Sequence, residues 1–228
     1  MNFAPTAILC DLDDCLYGYE VAHNAGITAA IHHLATRLST DVPFLERSFR
    51  EARNQVHSLL GDTASSHSKL LQFKALLDQI GLGGRADMSL ELESVYWGNF
   101  LRKMEASDGA VRFLEACRES GVEVFLVTDL TLQIQLRKVI TLDLVGYFAA
   151  ILTSEEVGAD KPSPKFLDLL SERFGAELSS SWVVGDNEQT DGRLAEHIDA
   201  RFWKVPKPTG RRKFFETLTR ELTRNGAP

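Results

Sequence analysis

AILCDLDDCLYGYE, residues 7–20, begins with four apolar or weakly polar residues and turns acidic in one step, at Asp11, Asp13 and Asp14. A run this short that ends in carboxylates has the form of a buried strand delivering side chains to the edge of a sheet. In a parallel α/β sheet, ligands bind beyond the carboxyl ends of the strands, so the residues that follow such runs are the ones to collect. VFLVTD (124–129) ends in Thr128 and Asp129, and VVGDNEQTD (183–191) supplies Asp186 and Asp191. DKPSP (160–164) places Lys161 in the loop after the third core strand.

The intervening chain shows which sheet this is. From Val21 to Met104 the apolar spacing is helical, with helices expected near His23–Leu38, Pro43–Leu60, Ser66–Ile80 and Leu90–Met104, broken at Gly61 and at Gly81–Gly84. After Ser107-Asp108-Gly109, short β-rich runs alternate with helical ones to the end of the chain, which argues for a parallel sheet covered on both faces. The spacing predicts an α/β, doubly wound, Rossmann-like core from residues 1–20 and 105–228, with an α-helical cap domain inserted over 21–104.

Composition narrows the function. With 44% hydrophobic and 25% charged residues among 228, the chain reads as globular rather than disordered or fibrous. A formal net charge of -7 repels nucleic acid and anionic lipid, so neither is expected as a partner. An anionic small molecule then requires a local positive centre, a metal or a lysine. The three cysteines, Cys10, Cys15 and Cys117, show no metal-ligand spacing and no disulfide framework. The N-terminus lacks the pattern of a signal peptide, and the expected location is cytoplasmic.

The collected residues form one set: carboxylates, a hydroxyl and a lysine from four strand ends. Oxygen ligands without His or Cys favour Mg2+ over zinc. The segments DLDDCL, VFLVTD, DKPSP and VVGDNEQTD resemble, in order, the four motifs of the haloacid dehalogenase superfamily, and the insert resembles that family's helical C1 cap by position and pattern. The resemblance implies Asp11 as nucleophile and metal ligand, and Asp13 as general acid and base that also lends its backbone carbonyl to the metal. It implies Asp186 as a direct ligand, Asp191 as a supporting one, and Thr128 and Lys161 as catalytic residues that bind the phosphoryl group. Cys15 departs from the Thr or Val usual in the first motif, and Asp129 from a common Asn, which adds negative charge beside the site.

An alkoxide leaving group must be protonated and a halide need not be, so an acid at Asp13 favours the phosphatase branch over dehalogenation. The expected function is therefore Mg2+-dependent hydrolysis of a small phosphorylated metabolite, by a monomer or homodimer. Phosphomutase, 2-haloacid dehalogenase and a non-catalytic phosphate-binding protein are the alternatives. Singly, Asp14 reads as a turn residue, Lys161 as a solvated lysine and Asp191 as a first-turn helix residue. Substrate contacts are expected from Thr128, Asp129, Lys161 and Tyr17, the last in a flap over Leu16–Glu20, and substrate choice from the inserted helices, where Arg53, His67, Lys69, Phe73, Tyr96 and Trp97 are polar or aromatic. The C-terminal stretch 210–224 reads as a solvated helix packing Phe214, Phe215, Leu218 and Leu222.

Overall fold

The computed structural model describes residues 5–225. Strand β1 (Ala7–Cys10) comes first, followed by helices α1 (Tyr19–Leu38), α2 (Val42–Leu60), α3 (Lys69–Gln79) and α4 (Ala86–Arg102). Then come α5 (Ala110–Glu119), β2 (Glu123–Thr128), α6 (Leu132–Thr141), β3 (Ala150–Thr153), α7 (Ser154–Val157), α8 (Lys165–Phe174) and β4 (Trp182–Gly185). A π-helical turn over Glu188–Gly192 leads into α9 (Arg193–Glu196), and β5 (Arg201–Lys204) and α10 (Arg211–Asn225) close the described chain.

The five strands form one sheet in the order β3-β2-β1-β4-β5, with every pair parallel. Strands β1 and β4 are buried along their whole length, as expected where helices cover both faces. Leu9, Phe125, Val127, Leu152 and Val183 pack with Phe166 and Leu170 of α8 and Leu194 of α9. Elsewhere in this core, Phe113 of α5 lies 5.9 Å from Phe215 of α10, centroid to centroid, and Leu218 and Leu222 are fully buried behind it. Each such side chain contributes about 1.5–3 kcal/mol on burial. Winding reverses beside β1: successive crossovers lead from β1 to β2 and β3 on one side and to β4 and β5 on the other. Such a reversal marks the carboxyl ends of β1 and β4 as the place where a sheet of this kind binds its ligand.

Two compact units divide the chain: Tyr19–Met104 forms one, and the residues before and after it form the other. The chain leaves the α/β unit beside the place where it returns, for Tyr17 bridges Ala106 and Ser107 N donates to Leu16 O at 2.7 Å. The helical unit is built on the packing of α1 against α4, which cross closely because Gly26 has no side chain: a Cβ there would stand 2.8 Å from the Tyr96 ring. Its core holds Ile31, Leu34, Phe49, Phe73, Leu76, Tyr96, Trp97 and Phe100. Lys69 is buried there too, whereas Arg53 is exposed. Helix α2 starts at Asp41, whose carboxylate accepts from Phe44 N, with proline in its first turn. Among the described residues, no helix is long and apolar enough to cross a membrane.

Candidate active site

The turn after β1 carries the nucleophile candidate. Asp11 N donates to Val184 O at 2.9 Å, which ties the turn to β4, and the Asp11 side chain is 8% exposed. Leu16 N closes the turn on Leu12 O at 3.0 Å, with Asp14 in the left-handed region at φ 56°, a conformation that Asp tolerates. The Asp14 carboxylate faces Arg211 at 3.3 Å, so it serves the turn and α10. Arg211, nearly buried, also donates to Ser107 Oγ at 3.2 Å and Pro206 O at 3.3 Å.

Lys161 is buried between two carboxylates, its Nζ 2.7 Å from Asp11 Oδ1 and 2.7 Å from Asp191 Oδ1. The loop that carries it is held by Asp129, whose Oδ1 accepts from Lys161 N at 2.9 Å. Asp129, expected as a substrate contact, thus has at least one oxygen committed to the protein's own backbone. Asp191 sits in the π-helical turn with Oδ2 accepting from Asn187 N at 3.2 Å. Only glycine fits at 185, because a Cβ there would meet the Asp191 carboxyl carbon at 2.3 Å.

Asp11, Asp186 and Asp191 each offer an oxygen within 4.8 Å of the others'. Burial would lower the Lys161 pKa, yet the charges of Asp11, Asp191 and Asp129 hold it well above its usual value, so it is a cation. Three carboxylates against one ammonium leave two negative charges in excess. That excess appears in the acids themselves. Burial pushes Asp11 well up, with Asp191 and Asp13 opposing its ionisation and Lys161 favouring it. Burial, then Asp191 and Asp14, raise Asp186 to about 6. A hard divalent cation on oxygen ligands balances this set, so the residues present fit Mg2+.

Asp13 faces a different group. Lys138 Nζ lies 2.7 Å from its Oδ1 and 2.8 Å from its Oδ2, the Tyr17 hydroxyl donates to Oδ1, and Gln135 Nε2 donates to Oδ2 at 3.2 Å. Burial alone would raise the Asp13 pKa; the Lys138 charge and the three donors bring it below the ordinary value. Gln135 Nε2 also reaches Thr128 Oγ1 at 2.7 Å and Asp129 O at 2.6 Å, so this amide joins the second run end to Asp13. Tyr17, expected in a mobile flap, is fully buried, with its hydroxyl on Asp13.

The structure therefore brings Asp11, Lys161, Asp186 and Asp191 into one cluster. Thr128 and Tyr17 are joined to Asp13 instead, and the Asp13 carboxylate lies outside the three-carboxylate cluster. Lys138, Gln135 and Arg211 were not legible from the strand-end motifs. Lys138 and Gln135 come from the middle of a helix, and only their i, i+3 spacing could have put them on one face.

Comparison with known proteins agrees with this frame. Residues 5–199 match the family described as haloacid dehalogenase-like hydrolase. A ribulose-1,5-bisphosphate 5-phosphatase of Halopiger xanaduensis is 36% identical over 190 residues, covering 82% of this chain and 78% of that protein. A glyceraldehyde 3-phosphate phosphatase of Methanopyrus kandleri is 26% identical over 83% of this chain and 78% of its own. In fold, the chain is similar to a magnesium-bound HAD hydrolase of Bacillus subtilis, with a TM-score of 0.66 at 18% identity over 89% of each chain. With the parallel order set around β1, and with most of its length inside the family match, the chain belongs to the haloacid dehalogenase-like hydrolases.

Proposed function

We propose that this protein is a Mg2+-dependent phosphatase that hydrolyses a small phosphorylated metabolite through a phosphoryl group carried on Asp11. The observation that carries the reading is Lys161, a buried cation bound at 2.7 Å to both Asp11 and Asp191. A carboxylate attacks an anionic phosphate ester only where charge on both partners is offset. Asp11, Asp186 and Asp191 would hold Mg2+, joined by the backbone carbonyl of Asp13; when bound, the ion neutralises charge on the phosphoryl oxygens.

The chain's own residues then act in two steps. An Asp11 oxygen forms a bond to phosphorus as the ester P–O bond breaks, and the leaving oxygen takes a proton from Asp13. Asp13 would acquire that proton when the negative charge of the bound phosphate ester opposes the Lys138 charge that keeps Asp13 ionised in the free protein. Water next attacks phosphorus and passes a proton to Asp13, while the bond from phosphorus to Asp11 breaks and its electron pair returns to the carboxylate. Thr128 and Lys161 bind phosphoryl oxygens, Asp129 holds the loop of Lys161, and Tyr17 orients Asp13. An acid two residues after the nucleophile serves an alkoxide leaving group and has no task with a halide, which favours the phosphatase over the dehalogenase.

The relatives named as sugar-phosphate and triose-phosphate phosphatases support a phosphorylated sugar as the substrate class. The test is phosphate release from a panel of sugar, triose and amino-acid phosphates. Activity is expected on at least one sugar phosphate, lost in EDTA and restored by Mg2+. Recovery with Ca2+ is expected to be poorer, because its higher coordination number can engage both oxygens of the nucleophile. Full activity after exhaustive chelation, or halide release from 2-haloacids with no phosphate release from any ester, would contradict the proposal.

A further inference from the structure

Helix α6 buries two polar side chains beside the apolar Ile134 and Val139. Gln135 and Lys138 are fully buried, whereas Leu136 is 39% exposed and Ile140 66%. The buried face of an amphipathic helix is normally apolar, and a lysine is almost never fully buried unless a partner holds it. Here the Asp13 carboxylate does so, taking Lys138 Nζ on both oxygens, at 2.7 and 2.8 Å. Around this pair, the Tyr17 hydroxyl approaches Oδ1 and Gln135 Nε2 approaches Oδ2. Without such donors the short Asp13 side chain would rotate among several staggered orientations. With them, its plane is fixed from one side by groups that are themselves packed.

We propose that Lys138, assisted by Gln135, is a positioning residue that holds Asp13 in the orientation needed for proton transfer. The proposal rests on the phosphatase reading above. Lys138 is too deeply buried to meet substrate, so its route to the proton transfer runs through the Asp13 carboxylate it holds. Gln135 also binds Thr128 Oγ1 at 2.7 Å, so one turn of α6 aligns the proton carrier with the hydroxyl of the second run end. Small losses of alignment in a proton donor or acceptor have large kinetic effects.

The two half-reactions need Asp13 unequally, and this makes the role measurable. A nitrophenolate leaves with little protonation, so phosphorylation of Asp11 by nitrophenyl phosphate tolerates a displaced Asp13. Attack by water on the phosphoryl group still requires a base, whatever ester supplied that group. Lys138→Met is therefore expected to give a burst of nitrophenolate near one equivalent, followed by steady turnover about tenfold to hundredfold slower than wild type, with KM falling alongside kcat. Gln135→Met leaves the Lys138–Asp13 ion pair in place, and it is expected to show the same pattern in weaker form.

The deciding comparison repeats Lys138→Met in an Asp13→Asn background, where two neutral side chains replace the ion pair. If Lys138 works through Asp13, its substitution changes the residual rate there by less than about twofold, the behaviour of residues that act as a unit. Additive losses in the two backgrounds, or loss of rate in Lys138→Met and Gln135→Met with no burst, would overturn the proposal. Wild-type turnover is read in the same assay. Its absence for every phosphate ester defeats the phosphatase reading and this proposal with it, whereas normal wild-type turnover with additive variants defeats this proposal alone.

Discussion

Asp186 shows how the cluster is poised for a cation. Its carboxyl is raised to about 6 by burial and by Asp191 and Asp14. Below that value it binds a proton that Mg2+ must displace; above it, the site is ionised in advance. Because burial pushes Asp11 up as well, a second proton competes in the same direction. Mg2+ affinity is thus expected to be flat at alkaline pH and to fall by about tenfold per unit or more as pH drops below 6, which calorimetric titration at pH 7.5 and pH 5 measures. Equal affinities at both values would show that these carboxyls do not hold the ion. The first-run aspartates, Lys161 and the acids of the GD segment were legible because each follows an apolar run, where topology requires a ligand site. Lys138 was not, because no periodicity rule sends a lysine inward. Its burial follows from a partner 125 residues away in sequence.

Helix existence was readable and helix interiors less so. Ser66–Ile80 read as one helix, yet the chain forms a 3-10 turn over Ala64–His67 and starts α3 anew after Ser68, whose hydroxyl accepts from Leu71 N. A serine there competes for backbone donors and makes an N-cap where the apolar spacing alone implies continuity. Farther along, the π turn over Glu188–Gly192 lets Asp191 reach Lys161 and accept from Asn187 N, which helical spacing alone does not reveal. Between α1 and α4, His23 Nδ1 lies 2.8 Å from the Tyr96 hydroxyl, and burial, then Lys69 and Arg53, lower its pKa to about 4. The unfolded chain binds this proton near pH 6.5, so between 6.5 and 4 unfolding takes up a proton. The stability due to neutral His23 is complete above 6.5 and declines as pH falls through that window. Denaturant midpoints at pH 7 and 5.5 are expected to fall less for His23→Gln than for wild type; equal declines would remove His23 as the cause.

The sheet order places Asp11 and Asp186 at adjacent strand ends beside the winding reversal, while Lys161 and Asp191 arrive from later connections. In a protein of net charge -7, Lys161 is the counter-charge that touches Asp11 and Asp191, and the proposed divalent ion would complete the balance. The parallel core and the long helical insert were both readable from periodicity, since a change from short apolar runs to 3.6-residue spacing marks where one unit interrupts the other. The pairing of Asp13 with α6 depended on how a helix packs behind the site, which no local pattern encodes. On the proposed function, these arrangements serve one chemical event, transfer of a phosphoryl group to Asp11. The direct test is rapid quenching of the enzyme during turnover of a phosphate ester, followed by peptide mass mapping. A base-labile phosphoryl group on the peptide containing Asp11, absent in Asp11→Asn, is the expected result. Sustained phosphate release by Asp11→Asn, or a phosphoryl group trapped on a different residue, would contradict it.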